Sequence, residues 1–312
     1  MIGYAARRVL GLVPVLCVVV VLTFVANQMV PGDPIATMLS DQSGDPALEA
    51  RLRAEYGLDR PLVEQFLSHV AGILRGDFGL SFRYASVPVI EVISTGLAVS
   101  PILACAAMAL ALPIGVALGT FAALRRNTFA DTAVILVLVA GMSIPNFALS
   151  AFLVYLLAIR FDLVPVAGWG SIEQAVLPVV VLAVAPMAYI ARLTRTYMLE
   201  VLQQDYIRTA RAKGMRERIV VYRHALRNTL VPLLTTVGII FGGLLSGTFV
   251  VETIFNIPGL GRMAIQAIFA RDYPVTMAIV LLFTLFYAGI NLLVDLLYGV
   301  IDPRIRLGGD GR

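Results

Sequence analysis

Few side chains in this sequence could make or break a bond. The two histidines are His69 and His224, and neither falls inside an apolar run. Ser143 and Ser246 do fall inside such runs, but a serine nucleophile needs a base beside it, and no histidine lies at that depth. No group of His, Cys, Asp and Glu has the spacing of metal ligands, so no metal is expected. The only lysine, Lys213, comes directly before Gly214, whereas a phosphate-binding loop places its lysine after glycine and before Ser or Thr. Hydrolysis of ATP by that route is excluded, and no cofactor is expected on this chain.

What the sequence offers instead is charge in one place. Residues 205 to 228, "DYIRTARAKGMRERIVVYRHALRN", hold seven positive side chains against Asp205 and Glu217. Any cytoplasmic loop of a membrane protein carries arginine to set orientation, which accounts for the sign. It does not account for Ala210 and Gly214, four residues apart beside Arg211 and Met215. Small residues at that spacing would let another surface approach a helix backbone, where Arg208, Arg211 and Lys213 could meet acids of the partner. The expectation is a docking element made of Arg208, Thr209, Ala210, Arg211, Ala212, Lys213, Gly214 and Met215.

The elements that carry this stretch are membrane helices. The chain is 59% hydrophobic and 14% charged, and its apolar residues are gathered into runs. A helix spans a bilayer with about 20 apolar residues, and six runs are read as spans: 9–30, 97–122, 132–158, 176–196, 229–251 and 275–301. Barrel strands would instead alternate over ~10-residue segments. The fold class is therefore all-α and polytopic, in contact with membrane lipid. Cys17 and Cys105 lie within apolar runs and form no disulfide framework. The first run follows Arg7 and Arg8 but continues to about Val30 without a small-residue cleavage site, so it is read as retained.

Orientation follows from the basic residues. With a cytoplasmic N-terminus, the inside segments hold Arg7, Arg8, Arg125, Arg126, the nine positive residues from Arg192 to Arg227, and Arg304, Arg306 and Arg312. The positive-inside rule then places both termini in the cytoplasm. The long outer segment, 31–96, reads as a helical cap. One helix starts at Asp45-Pro46 and ends at Gly57; a second runs from Pro61 to Gly76 with Val63, Phe66, Val70 and Ile73 on one stripe.

Three polar features of the spans remain. Asp295 is the one acid well inside a span, read as structural with a proton relay as the alternative. Ser143, Pro145 and Asn146 sit in the third span, where Asn146 requires a polar partner; it lines a translocation path or bonds a neighbouring helix. "ETIFNIPGLG", residues 252–261, places Ile254, Phe255, Ile257 and Leu260 in an outer loop. There Glu252, Phe255, Asn256, Pro258, Gly259 and Gly261 form an outer gate touching a docked protein, or the loop is packed between helices.

"TARAKG" with "ALRN" resembles the cytoplasmic EAA-type loop of ABC importer permeases, in their peptide/nickel branch. Further segments resemble that family in order: "ARRVL" at the start, "PGDP" at 31–34, "YGLDRPL" at 56–62, "GDFGLSF" at 76–82, "FVVETIFNIPGLG" at 249–261, "ARDYP" at 270–274 and "NLLVDLLYGVIDPRIR" at 291–306. Arg208 and Thr209 stand where the general loop has Glu and Ala, and Arg227 where it has Pro. The long outer segment is similar to the B-type subunit of such importers.

The resemblance implies a first helix at 1–30, the cap at 31–96, a type I permease core at 97–302 with its coupling loop at about 197–228, and a cytoplasmic tail at 303–312. It implies a bacterial inner-membrane subunit that works with a second, C-type permease, two ATPase subunits that carry ATP and Mg, and an extracytoplasmic solute-binding protein. Peptides or related small solutes are the implied cargo, and no nucleic acid is involved. The competing class is an ion-coupled secondary transporter that acts without an ATPase.

Overall fold

The computed structural model describes residues 2–32, 35, 46–84 and 86–301, with side chains for all of these except 2–9, 246–247 and 297–301. Asp33 and Pro34 of "PGDP", Asp45, and the tail from Asp302 lie outside the described residues. Among the described residues the chain is helical, with a single isolated β-bridge between Leu80 and Pro88. The helices are α1 (Ile2–Met29), α2 (Pro46–Glu55), α3 (Leu62–Arg75), α4 (Val89–Leu124), α5 (Phe129–Ser143), α6 (Asn146–Leu153) and α7 (Ile172–Leu202). They continue as α8 (Asp205–Ala212), α9 (Glu217–Ile219), α10 (Arg227–Gly247), α11 (Phe249–Ile254), α12 (Leu260–Phe269) and α13 (Tyr273–Ile301). Wider π-type turns at Val154–Arg160 and Val220–Leu226 extend α6 and join α9 to α10.

Five helices are long and apolar enough to cross a membrane, or six if the α5–α6 pair is one span. That pair corrects the expectation of an unbroken third span at 132–158. Ile144 is extended, and the axes of α5 and α6 differ by 101°. Pro145 is the cause: the residue before a proline is driven out of the α-region, and proline itself is suited to open the next helix.

Packing divides the chain into two units. The first comprises Met1–Ala6, Pro101–Ile257 and Tyr287–Arg312. Its central element is α7, whose start is fixed by a capping box in which Ser171 accepts from Gln174 and the Gln174 side chain reaches back. Within this unit α7 packs against α5, α6 and α10. Between apolar helices in lipid the hydrophobic effect gives little drive, so close backbone approach takes its place. Glycine supplies that approach. A Cβ on Gly115 would stand 2.7 Å from the Met187 carbonyl oxygen, and one on Gly119 would stand 2.3 Å from that of Ala191. Gly238 and Gly242 do the same for α10, against Val294 and Tyr287 of α13.

The second unit comprises Arg7–Ser100 and Pro258–Phe286. Here α3 ends as its sequence signals, with Gly76 left-handed and backbone bonds closing onto Gly72 and Ile73. Phe66 of α3 meets Phe24 of α1 edge-on, centroids 5.3 Å apart; Val63, expected on the same buried stripe, is instead 69% exposed. The core of this unit gathers Val89, Ile93, Leu260, Val275 and Ile279.

The glycine seam makes a direct prediction. Gly119→Leu is expected to force α4 and α7 apart and lower the yield of monodisperse protein on size exclusion severalfold, overpacking of this kind costing about 1–3 kcal/mol. Gly243→Leu, where a Cβ would meet nothing within 4 Å, is expected to behave as wild type. Equal behaviour of the two variants would refute the seam.

Candidate functional site

The basic stretch folds as a short helix, α8, between α7 and the turn that leads into α9. Asp205 sits in its first turn and Arg211 in its last, each complementing the helix dipole at its end. The Gly214 N–H donates to the Arg211 carbonyl and the Met215 N–H to that of Ala210, at 2.9 and 3.3 Å. This is a Schellman stop, and it places Gly214 at φ +73°. Met215 then folds back onto the cluster that contains Ala210, the apolar contact that usually accompanies such a stop.

The Ala210/Gly214 pair is therefore not a face prepared for a partner. Ala210 is buried with Ile207, Met198, Val220 and Ala225 of this chain, and Gly214 lies beyond the helix end. The four-residue spacing encodes how the helix packs and where it stops. What remains outward is Arg208, Thr209, Arg211, Ala212, Lys213 and Gly214. Arg211 grips Glu217 through two bonds of 2.6 and 3.1 Å, which fixes the turn after α8 and raises the Arg211 pKa through that same bond. Arg208 only brushes Asp205, at 3.5 Å with both side chains largely exposed. A row of exposed cations on a short helix is suited to meet an acidic surface.

Behind this stub lies an ion pair that sequence reasoning missed. Asp131, 3% exposed on the first turn of α5, takes both arms of Arg195 of α7 at 2.7 Å. Its carboxylate also accepts from the Asn127 N–H at 3.0 Å, and its own N–H is capped by Thr128. Arg195 lies about two turns before the end of α7, so the pair ties the start of α5 to the segment of α7 that carries the basic helix. Its signal was an acid at a helix start after "RRNTF" and an arginine at the far end of an apolar run. Nothing local in the sequence joins positions 64 residues apart.

The loop at 252–261 is the second correction. Glu252, Phe255 and Ile257 are fully buried, and so is Leu260; Gly259 and Gly261 are buried as well, so the gate surface expected from Glu252, Phe255, Gly259 and Gly261 is closed over. Thr253, Ile254, Asn256 and Pro258 remain outward. Each side is held within its own unit. In the first, the Phe255 carbonyl accepts from the Gly168 N–H at 2.8 Å, and α11 packs on α6 and α7. In the second, Ser100 Oγ accepts from the Leu260 N–H at 2.8 Å, and a Cβ on Gly96 would stand 2.9 Å from that nitrogen. Asn256 turns the chain at φ +54°, its N–H bonded to Thr253 and that of Ile257 to Glu252. The apolar letters of this loop are its packing.

Ser143 and Asn146 flank the break rather than lying within a continuous span. Ser143 Oγ donates to the Val139 carbonyl of its own helix at 2.8 Å, so it needs no path water. Asn146 opens α6, and its carbonyl accepts from the buried Ser150 at 2.7 Å. Asp295 is half-buried on α13 and has an interaction partner. The second unit has a carboxylate hub that sequence reasoning also missed. Buried Asp272, from "ARDYP", accepts from Ser81 Oγ and from the Phe82 and Arg83 N–H groups at 3.0 and 3.2 Å, and it caps the first turn of α13 through Val275.

Comparison with known proteins places this geometry. Residues 115–307 match the family described as binding-protein-dependent transport system inner membrane component, and residues 1–96 match its N-terminal counterpart. The dipeptide transport system permease protein DppB of Bacillus subtilis (strain 168) is 41% identical over 311 residues, all of both chains. The glutathione transport system permease protein GsiC of Pectobacterium atrosepticum is 42% identical over 98% of this chain and 99% of that one. In fold, a chain of the MetNI methionine ABC transporter in an inward-facing conformation superposes with TM-score 0.59 at 18% identity, over 68% of this chain and 97% of its own.

The Asp131–Arg195 pair is testable in isolation. Asp131→Ala leaves a part-buried guanidinium without its partner and is expected to lower stability by roughly 2–4 kcal/mol, read as a drop in the thermal midpoint followed by tryptophan fluorescence. Asp131→Ala with Arg195→Leu is expected to recover most of the loss. A double variant as unstable as the single would show that the pair contributes nothing specific.

Proposed function

The chain belongs to the family of binding-protein-dependent transport system inner membrane components, and we propose that its cargo is a peptide or a related small solute delivered by an extracytoplasmic binding protein. It is a multi-pass inner-membrane permease component of an ABC importer, not a catalytic subunit. The peptide assignment draws on full-length likeness to a dipeptide and a glutathione permease. The ion-coupled alternative gains no support from any of these relatives.

The partners follow as part of the proposal: a C-type permease, two ATPase subunits that bind ATP and Mg, and the binding protein. Both termini are assigned to the cytoplasm by the arginine bias. The division into a first helix at 1–30, a cap at 31–96, a core at 97–302 and a tail at 303–312 belongs to the same proposal; the two separate family matches, over 1–96 and 115–307, support a boundary between cap and core.

The observation that carries the mechanism is α8: a rigid, capped stub with outward Arg208, Arg211 and Lys213, joined to α7 with only two residues between. Closure of ATP-loaded subunits would draw α8 with them, and α7 would pass the displacement to α5 through Asp131–Arg195. The path is assigned beside the α5–α6 break at Ser143, Pro145 and Asn146, where irregular backbone is tolerated because it lines a cavity or is buried in protein. Asn256 and Pro258 are the part of the 252–261 loop left to meet a docked protein.

Arg208→Glu with Lys213→Glu is expected to abolish at least about 90% of the ATPase stimulation by loaded binding protein in the reconstituted importer, since like-charge contacts at an interface cost several kcal/mol. Arg208→Lys should keep most of it. Full stimulation in the charge-reversed importer would overturn the coupling role of α8. A single cysteine at Asn256, in a background lacking Cys17 and Cys105, is expected to crosslink to the binding protein only when ATP is trapped. Crosslinking in neither state, with a cap cysteine reacting as control, would remove the loop from that contact.

A further inference from the structure

The second unit encloses a cavity of about 280 Å³ that no role above uses. Its wall is built where three helices end: Asn27 and Gln28 in the last turn of α1, Glu55 to Leu58 at the end of α2, and Asp77 to Leu80 just beyond α3. Helix C-termini carry partial negative charge. The opposing N-terminus of α13, at Tyr273 and Pro274, is already engaged by the buried carboxylate of Asp272.

The chemistry of the wall points one way. Among the described residues it has two carboxylates, Glu55 and Asp77, and neither lysine nor arginine. Five aromatic rings join them: Phe24, Tyr56, Phe78, Phe82 and Tyr273. Tyr56, Phe82 and Tyr273 stack edge-to-ring in sequence, with centroids 5.1 and 6.0 Å apart. Burial pushes the pKa of His69, also on the wall, below its ordinary value, so it adds no positive charge at neutral pH. Two wall residues hold buried polar atoms without a hydrogen-bond partner, the Asn27 side-chain nitrogen and the Tyr273 hydroxyl, and such atoms ordinarily have one.

Acids and ring faces without a resident cation are the elements that bind ammonium groups. An anionic ligand would meet two carboxylates and three helix C-termini. A purely apolar one would leave the Tyr273 hydroxyl unsatisfied.

We propose that this cavity binds a primary ammonium group, held by Glu55 and Asp77 within the aromatic wall, with the Tyr273 hydroxyl oxygen accepting a further bond from it. The group comes from a small free amine or from a lysine of a docked binding protein, and the site stands or falls independently of the transported cargo.

Both sources are read on the assembled importer in nanodiscs. For the free amine, calorimetric titration with n-butylammonium is compared with its neutral isostere 1-butanol. For the lysine, affinity for the importer is compared between native and lysine-acetylated binding protein. The test variant is Glu55→Gln with Asp77→Asn, chosen because each amide still accepts the bonds now made by Ser86 and by the Gly79 N–H. In at least one arm the cation should bind or dock about tenfold more tightly than its neutral counterpart, and the double variant should erase that preference. A preference in the first arm identifies a free amine, and one in the second a protein lysine. Should the double variant fail to assemble, Tyr273→Phe serves in its place and should weaken the same arm at least about threefold. No preference in either arm, or a preference that the variants leave intact, overturns the proposal.

Discussion

The carbonyl oxygens of Met187 and Ala191 lie so close to Gly115 and Gly119 that no side chain fits between them, and the first unit depends on that approach. Helices already in lipid gain little by hiding leucine from water, so what binds them is van der Waals contact at short range. Two glycines one turn apart on α4, and two more on α10, provide it. The long helix so secured, α7, ends just before the basic stub. Much of its packing therefore comes from contacts that hold no charge.

On that frame the polar residues are few, and each makes a specific tie. Asp131 and Arg195 join α5 to α7 with a two-bond pair whose acid is buried. Asp272 collects the loop from Ser81 to Arg83 and caps α13. Burying a carboxylate is tolerated when donors surround it, and both sites meet that condition. Removing one member of such a tie costs more than the tie itself contributes, because a buried charge is left behind. In the mechanism proposed above, apolar seams hold and the Asp131–Arg195 pair transmits.

The basic stub illustrates how an expectation can rest on a wrong geometry. Its charge and its likeness to a coupling loop were plain in the letters "RTARAKG", and the structure gives an exposed cationic helix there. Yet Ala210 points into the chain and Gly214 serves as the helix stop, so the small residues shape the stub and leave the cations outward. The 252–261 loop repeats the lesson from the other side. Phe255, Ile257 and Leu260 looked like an exposed apolar patch, and each is buried.

The sequence alone determined what depends on local composition. Long apolar runs specified membrane helices, and Gly57 and Gly76 marked helix ends that the structure confirms as left-handed. Ordered motifs also sufficed for the family. Tertiary structure decided everything that required two distant segments to meet. The match of Asp131 to Arg195, of Asp272 to the loop at Ser81, and of glycine to carbonyl across α4 and α7 leaves no periodic trace in either partner. Even the 101° break at Pro145 needed it, because prolines at Pro101, Pro113 and Pro186 sit inside helices that run on. A proline removes one backbone bond wherever it stands; whether the helix then bends or continues is settled by the neighbours that satisfy the freed carbonyl.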